Sequence, residues 1–329
     1  MKHKFSMEGF AYRLRPIKKK DALFIIETRL EDMERNQYIH KISSDVSEQE
    51  KWLEDYFERE GDYYFVIENR LTGDREGLIS FYDVKNEKAE WGRWVIQKGS
   101  LAAIESVDLL YRVAFEKAGL NELYCRTLAI NTQVVSMHES MGELTRGIEK
   151  DAFELEDGGY DAVVQYSTKQ HFYENIHPTL EKKAMKIFER NLRRIAGTLK
   201  FHHIGVACKS VENEFPMFSI LGYQKESPWF EDETQGIAGM FIAAEGQPRL
   251  ELMEEINNSG TLAPHIRSGN KMYHFAYTVS KMDEMIKALQ NTKAKVISSA
   301  KLSSYFGTRI CFLILPNMYM IELIEEKGE

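Results

Sequence analysis

Four side chains in the last third of the chain have the types and the spacing of a metal-ligand set. His203 lies in Phe201-His202-His203-Ile204-Gly205-Val206-Ala207, and Glu251 follows 48 residues later in Leu250-Glu251-Leu252. His274 lies in Met272-Tyr273-His274-Phe275-Ala276-Tyr277-Thr278, and Glu322 again follows 48 residues later, in Ile321-Glu322-Leu323. The offset between the two pairs is 71 residues at both members. Two imidazoles and two carboxylates suit one divalent ion of the Zn, Co, Mn, Ni or Mg class and leave positions for water or substrate. Each glutamate sits between apolar residues, so in a strand its carboxylate points away from its neighbours. Burying it is costly unless a cation or a donor meets it. His202 is the rival to His203, but the repeat registers His203 with His274. A barrel with solvent-facing glutamates and hydrogen-bonded core histidines would use the same residue types. The equal spacing of both pairs favours a duplicated module closed around one ion.

Residues 200–326 resemble the vicinal-oxygen-chelate family, which includes glyoxalase I, methylmalonyl-CoA epimerase and extradiol dioxygenases. The resemblance is carried by His203-Ile204-Gly205-Val206-Ala207, by Tyr273-His274-Phe275-Ala276, and by Gly307-Thr308-Arg309-Ile310-Cys311-Phe312 ahead of Ile321-Glu322-Leu323. It implies paired βαβββ modules forming an open barrel, with His203, Glu251, His274 and Glu322 as ligands. In the epimerase branch a glutamate ahead of the first metal glutamate takes up the carbon-bound proton. The acidic stretch Glu231-Asp232-Glu233 occupies that place here, making Asp232 and Glu233 the expected base. Four protein ligands fit proton-shuffling chemistry better than a dioxygenase, whose usual set of two histidines and one carboxylate leaves three positions open.

Further upstream, strand and helix signals alternate. Tyr12–Pro16 reads as a strand, and a helix is expected from Asp21 to about Met33. A second helix is expected from Ser47 to Arg59, with Ser47 as N-cap and Glu50 completing a capping box. Tyr63–Ile67, Gly77–Phe81 and Glu90–Ile96 read as consecutive strands, the first turn marked by Thr72-Gly73-Asp74. A helix from about Leu101 to Ala118, a strand Leu123–Ile130 and a helix Thr132–Met141 stopped by Gly142 follow. A last strand pair surrounds Gly158-Gly159, and Pro178 to Ile195 reads as an amphipathic helix closed by Gly197.

That order, with Asn131-Thr132-Gln133-Val134-Val135-Ser136-Met137-His138-Glu139-Ser140-Met141-Gly142, resembles the GCN5-related N-acetyltransferases (GNAT) over roughly residues 10–170. The branch most similar acylates amino groups on nucleotide-linked deoxyamino sugars and ribosomal-protein N-termini. The resemblance implies that acyl-CoA enters where the strand ending at Ile96 parts from its neighbour. Its pyrophosphate would lie on the amides of Gln97, Gly99, Ser100, Leu101, Ala102 and Ala103, at the positive start of a helix. Asn131 would contact the CoA arm. The family's usual tyrosine acid is replaced by His138, which would protonate the departing thiolate. The expected glycine pattern of the cradle is incomplete, and Glu143 stands where the family usually has phenylalanine.

The expected fold class is therefore α+β in two domains. A GNAT-type mixed sheet with helices spans 1–171, a helical linker spans 172–199, and paired βαβββ modules of the vicinal-oxygen-chelate type span 200–329. The expected function is bifunctional: an acyl-CoA-dependent N-acyltransferase acting on an amino sugar or similar amine, fused to a divalent-metal-dependent epimerase or isomerase. The alternatives are a non-catalytic binding or scaffold protein, or a glyoxalase-type lyase or dioxygenase in the second domain. The expected cofactors are acetyl-CoA or another acyl-CoA and one divalent metal.

Composition sets outer bounds. The chain of 329 residues has 43% hydrophobic and 29% charged residues, as in ordinary globular proteins. Cys125, Cys208 and Cys311 are scattered among apolar residues and read as reduced, which points to the cytoplasm. The start Met1-Lys2-His3-Lys4-Phe5 lacks an apolar segment behind it, and no run of 18 apolar residues exists, so no membrane role is expected. A net charge of −8 argues against nucleic acid. The expected partners are small molecules (acyl-CoA, an amino sugar or an acyl thioester), with a second copy of the chain as a homodimer.

Overall fold

The computed structural model describes residues 3–31, 42–155 and 158–327. They fall into two compact units, Met1–Asn191 and Leu192–Glu329.

The first unit begins with β1 (Met7–Glu8), β2 (Tyr12–Pro16), α1 (Ala22–Leu30) and α2 (Val46–Glu58). It continues through β3 (Tyr63–Asn69), β4 (Arg75–Lys85), β5 (Lys88–Ile96), α3 (Ala103–Arg112), β6 (Glu122–Leu128), α4 (Thr132–Met141), β7 (Leu144–Leu155) and β8 (Gly158–Thr168). A short α5 (Lys169–His171) leads into α6 (His177–Ala196), whose first residues add Leu180 to this unit's core. The strands form one sheet in the order β1-β2-β3-β4-β5-β6-β8-β7. Tyr64–Asn69 of β3 is buried at every residue; the apolar run Tyr64–Ile67 is what a strand covered on both faces requires, and Glu68 is buried because Arg13 and Arg15 donate to it. The expected end of the first helix, Met33, lies outside the described residues. The cap of α2 is Asp45 and not Ser47, because the Asp45 carboxylate accepts from the Ser47 amide at 2.7 Å.

The centre of this sheet opens. β5 and β6 run parallel, and they pair only at Lys88–Glu122, Ala89–Leu123 and Glu90–Tyr124. Beyond that rung Trp91–Ile96 stays with β4 while Cys125–Leu128 stays with β8. Arg93, at a φ of 46° in a stretch where the β4–β5 register shifts, bends β5 away.

The second unit holds β9 (Leu199–Ala207), α7 (Val211–Ile220), β10 (Gln224–Lys225), β11 (Phe230–Asp232), β12 (Ile237–Ala243), β13 (Leu250–Glu255) and α8 (Ala263–Ser268). Then come β14 (Met272–Val279), α9 (Met282–Asn291), β15 (Lys295–Leu302), β16 (Arg309–Ile314) and β17 (Met320–Glu325). The sheet order β10-β12-β13-β9-β14-β17-β16-β15 is a mirrored pair of modules meeting at β9 and β14. Each module runs strand, helix, then an antiparallel run of strands whose last member returns parallel to its first. The far ends of the sheet meet through side chains. Ser303 donates to Asp232 at 2.6 Å, Lys301 donates to the Thr234 carbonyl at 2.6 Å, and the Phe230 and Tyr305 rings lie 4.2 Å apart.

Candidate functional site

Register brings the four expected ligands together. Glu251 of β13 pairs with Gly205, two residues past His203, and Glu322 of β17 pairs with Ala276, two residues past His274. In the antiparallel centre, His203 faces Ala276 and His274 faces Gly205. The 71-residue offset of the sequence is thus reproduced at every rung that touches the cluster. Gly205 has a steric reason to lack a side chain, since a Cβ there would overlap the His274 ring.

The result is a compact, buried cluster. His203 Nε2 lies 2.9 Å from Glu251 Oε2 and 3.5 Å from Glu322 Oε2, while His274 Nε2 lies 3.8 and 3.5 Å from the same atoms. The two imidazole Nε2 atoms are 3.1 Å apart. No ligand residue is more than 3% exposed. Four donors about 2.0–2.2 Å from a tetrahedral ion stand about 3.4 Å from one another, close to these separations. Burial holds His203 and His274 down to about 3, with Arg249 adding to the effect at the first and His203 at the second, so both lone pairs are free at neutral pH. Burial also pushes Glu251 up to about 7 and Glu322 well above the carboxylate range. Glu322 Oε2 and His274 Nδ1 are buried without hydrogen-bond partners. A carboxylate oxygen without a donor beside two neutral imidazoles is a donor set that fits a divalent cation.

Around it stand His202, which the sequence offered as the rival to His203, and further groups that sequence reasoning left out. His202 Nδ1 meets His203 Nδ1 at 2.7 Å, and Arg249 donates to His202 Nε2 at 2.9 Å. Phe241, Phe306 and Phe312 rings line the two ligand histidines. Their signal was weak, because aromatic residues in strands are usually plain core.

The acidic stretch divides between inside and outside, as the pleat dictates. Asp232 is fully buried, and its charge contributes to raising both Glu251 and Glu322. Burial alone would raise Asp232, but hydrogen bonds from Ser303, Thr234 and Gln235 bring it down to about 2. It anchors the turn after β11. Glu233 faces solvent and is not brought into the cluster.

In the first unit, the cradle expected at Ile96–Ala103 lies at the mouth of the β5–β6 parting. The Gln97 amide donates to Glu76 O, the Ser100 amide to Gln97 O, and the Ala102 amide to Ser100 Oγ. The Ser100 hydroxyl in turn donates to the Glu76 carboxylate. Among the described loop and cap bonds, none uses the amides of Gly99, Ala103 or Ile104, while the Leu101 backbone bonds the Tyr12 hydroxyl. Gly99 has a φ of 82° and open space where a Cβ would be. Open amides at a helix start are what an anion needs. Asn131 caps α4, its side-chain oxygen accepting from Val134 N at 3.4 Å.

His138 lies inside the parting, 3% exposed, its ring 5.0 Å from that of Trp91. Its Nδ1 is 3.1 Å from Cys125 Sγ, and Glu143 Oε2 is 3.9 Å away. Burial takes His138 down to about 4, with Gln165 opposing, so at neutral pH it is a neutral imidazole and not the imidazolium acid that the resemblance suggested. Cys125 and Glu143 were not read as site residues. A charged residue directly after the left-handed Gly142 was the available signal. Across the parting Glu90 is buried beside Arg126, which donates to it at 2.8–3.0 Å, and the Tyr82 hydroxyl donates at 3.3 Å. Burial raises the Glu90 carboxyl, and Arg126 opposes that.

Comparison with known proteins agrees with this division. Residues 12–143 match the family model described as the acetyltransferase (GNAT) domain, and residues 202–325 match that of the glyoxalase/bleomycin resistance protein/dioxygenase superfamily. The chain therefore joins a GNAT domain to a glyoxalase-superfamily domain. Among solved structures, one of FdhC, titled as a nucleotide-linked sugar GNAT in its apo form, is 26% identical with a TM-score of 0.46, covering 54% of this chain and 98% of its own. A GCN5-related N-acetyltransferase from Brucella melitensis is 18% identical with a TM-score of 0.48, covering 57% and 87%. A putative acetyltransferase from T. thermophilus is 22% identical with a TM-score of 0.47, covering 55% and 97%. No curated protein matches the chain. No helix among the described residues is long and apolar enough to cross a membrane.

Proposed function

We propose that the protein is a bifunctional enzyme, with an acyl-CoA-dependent N-acyltransferase in residues 1–171 and a divalent-metal-dependent epimerase or isomerase in residues 200–329, joined by a helical segment at 172–199. The observation that carries the first activity is the β5–β6 parting, with the open amides of Gly99 and Ala103 at its mouth. Acyl-CoA lies in that parting with its pyrophosphate on Gly99, Ser100, Leu101, Ala102 and Ala103 and its arm near Asn131. The acceptor is an amine on an amino sugar or a similar molecule, entering on the Glu90 side. Glu90, whose carboxyl is raised by burial, takes the ammonium proton. His138 meets the leaving sulfur. Calorimetry with acetyl-CoA, followed by thiol release against a panel of nucleotide-linked amino sugars, tests this reading. Absence of binding at about 1 mM acetyl-CoA would reduce the domain to a scaffold.

The second activity rests on His203, Glu251, His274 and Glu322 as the residues that would hold one divalent ion. Such an ion, when bound, polarises a substrate oxygen and makes the neighbouring C–H bond acidic. Of the acidic stretch, buried Asp232 is the member whose charge is felt at Glu251 and Glu322, and Glu233 is its solvent-facing alternative as the base. Arg249 and His202 brace His203 from behind. Incubation with 2-methyl acyl-CoA thioesters and keto-sugars in heavy water tests this part. Metal-dependent deuterium uptake is the expected result, and none across the panel would argue for a lyase or a binding domain.

A further inference from the structure

Behind His138 the first unit buries groups to which the acyl-transfer reading gives no role. Trp91 and Cys125 are the first residues past the last rung shared by β5 and β6. The His138 ring packs on the first and its Nδ1 contacts the sulfur of the second, so the imidazole spans the parting. Glu143 Oε2 lies 3.6 Å from the same sulfur and 3.9 Å from Nδ1, and the Tyr111 hydroxyl donates to Glu143 Oε1 at 2.7 Å. His138 Nε2 is buried with no hydrogen-bond partner.

The hydrogens can be counted. A neutral imidazole carries one N–H and one lone pair. Burial raises the Cys125 thiol well above its ordinary range, so the sulfur keeps its hydrogen. That hydrogen has two acceptors in reach, Nδ1 at 3.1 Å and Glu143 Oε2 at 3.6 Å. The Tyr111 hydroxyl serves the other carboxyl oxygen, Oε1, and of the two acceptors beside the sulfur Nδ1 is the nearer.

We propose that Cys125 is a positioning residue for His138: its thiol donates to Nδ1, fixes the imidazole as the Nε2–H tautomer, and so presents a neutral hydrogen-bond donor inside the β5–β6 parting. Glu143, tied to Tyr111, stands beside both the sulfur and Nδ1. The kinetic consequence rests on the acyl-transfer reading, whereas the tautomer does not. In the transfer step the amine nitrogen bonds to the thioester carbon, and the electron pair of the C–S bond leaves on sulfur. The Nε2–H bond supports that thiolate without giving up its proton, and water protonates the thiolate after release. The ammonium proton goes to Glu90 before attack, and the second proton, lost by the nitrogen as the amide forms, passes to water.

The test uses the full chain labelled with nitrogen-15 histidine, with the His138 resonances assigned by His138→Ala. The expected result near pH 7 is a protonated Nε2 and an unprotonated Nδ1 in the wild type and in Cys125→Ser, with the preference lost in Cys125→Ala. A protonated Nδ1 in the wild type, or a tautomer indifferent to Cys125→Ala, overturns the proposal. Retention of a second metal equivalent that disappears in Cys125→Ala also overturns it, because a metal-bound thiolate has no hydrogen to donate. In acetyl-CoA turnover, Cys125→Ala should lower kcat roughly 10-fold with KM for acetyl-CoA unchanged, and Cys125→Ser should recover most of the loss. Normal turnover in Cys125→Ala alongside a changed tautomer overturns the positioning role. Failure of any variant to bind acetyl-CoA while the tautomer behaves as expected overturns the acyl-transfer reading and leaves the tautomer lock standing.

Discussion

Cys125, His138 and Glu143 in the first unit and His203, Glu251, His274 and Glu322 in the second make a natural comparison. Each group is buried, and in each the donor atoms lie within 4.8 Å of one another. Residue type alone would class both as metal sites. They part on hydrogen accounting. In the first cluster the Tyr111 hydroxyl donates to Glu143 Oε1 and the Cys125 thiol has Glu143 Oε2 and His138 Nδ1 in reach, so each acceptor there has a donor beside it, and only His138 Nε2 is left without a partner. In the second, two imidazole nitrogens face each other at 3.1 Å and Glu322 Oε2 receives no donor. A buried acceptor without a donor is costly, and a cation removes that cost. Ligand sets are therefore recognised by what the cluster lacks.

The largest expected effect tests that distinction directly. Purified protein should retain about one divalent ion, and His203→Ala/His274→Ala should retain none, whereas Cys125→Ala should leave the metal content unchanged. At free metal about 1,000-fold above Kd, the ion should stabilise the second unit by about 4 kcal/mol, read as lost hydrogen-exchange protection in β9, β13, β14 and β17 after chelation. Gly205→Ala should mimic the ligand loss by displacing His274. Metal content that follows Cys125 and ignores His203 would invert the comparison.

The next effect is one of sign. In the first unit the buried Glu105 and Glu143 carboxyls both sit at about 7 against an ordinary 4.5, while His138 sits at about 4 against 6.5. Raised carboxyls make the folded state bind more protons, and a lowered histidine makes it bind fewer. Two carboxyls outweigh one histidine, so these groups make the first unit lose stability as pH rises from 4.5 to 7. In the second unit without metal, His202, His203 and His274 are all lowered, to about 4, 3 and 3, while Glu251 and Glu322 are raised. Three histidines outweigh two carboxyls, and these groups make the unit gain stability between about 4.5 and 6.5. One net proton over that window corresponds to about 3 kcal/mol in each direction. Hydrogen exchange at pH 5 and pH 6.5 in the presence of a chelator should show the two units moving oppositely. Parallel movement would mean that the buried groups do not ionise in these directions.

How legible all this was from sequence differs between the clusters for the same physical reason. The gathering of His203, Glu251, His274 and Glu322 was readable because duplication repeats residue type and spacing, and the pleat carries that spacing into register at Gly205 and Ala276. The GNAT strands and the helix ending at Gly142 were also readable, because apolar runs and a left-handed glycine are local signals. The cap of α2 was misplaced by two residues, since Asp45 and Ser47 both carry capping oxygens and only the backbone decides between them. The Cys125–His138–Glu143 contact brings together β6, α4 and the residue just before β7, at separations of 13 and 18 residues along the chain. No periodicity announces such a contact, and the roles of Asp232 and Glu233 likewise depended on which faced inward.

A smaller effect is expected at the reacting group itself. His138→Ala should lower acetyl-transfer kcat by about 10², close to 3 kcal/mol of barrier, while acetyl-CoA affinity stays within about 2-fold. The metal content of the second unit should not change. A loss of CoA affinity equal to the loss of kcat would make His138 a binding residue instead of a partner of the leaving sulfur.

The smallest expected effects lie one layer out, where each cluster has a single bracing side chain. His202 braces His203 through Nδ1 at 2.7 Å, and Tyr111 braces Glu143 at 2.7 Å. His202→Gln keeps a polar group in place but loses the imidazole that orients the ligand ring, so metal affinity should fall roughly 10-fold. Tyr111→Phe keeps the ring, which stacks on Phe172 with centroids 4.9 Å apart, and removes only the hydroxyl. It should destabilise the first unit by about 1–2 kcal/mol through an under-satisfied Glu143, with no effect on metal. The two losses should be independent, because the clusters share no partner. Competition with a metal-sensitive dye reads the first, and denaturant unfolding followed at the first unit reads the second. If Tyr111→Phe changed metal affinity, or His202→Gln changed acetyl transfer, the two clusters would be coupled and could not be treated as separate sites.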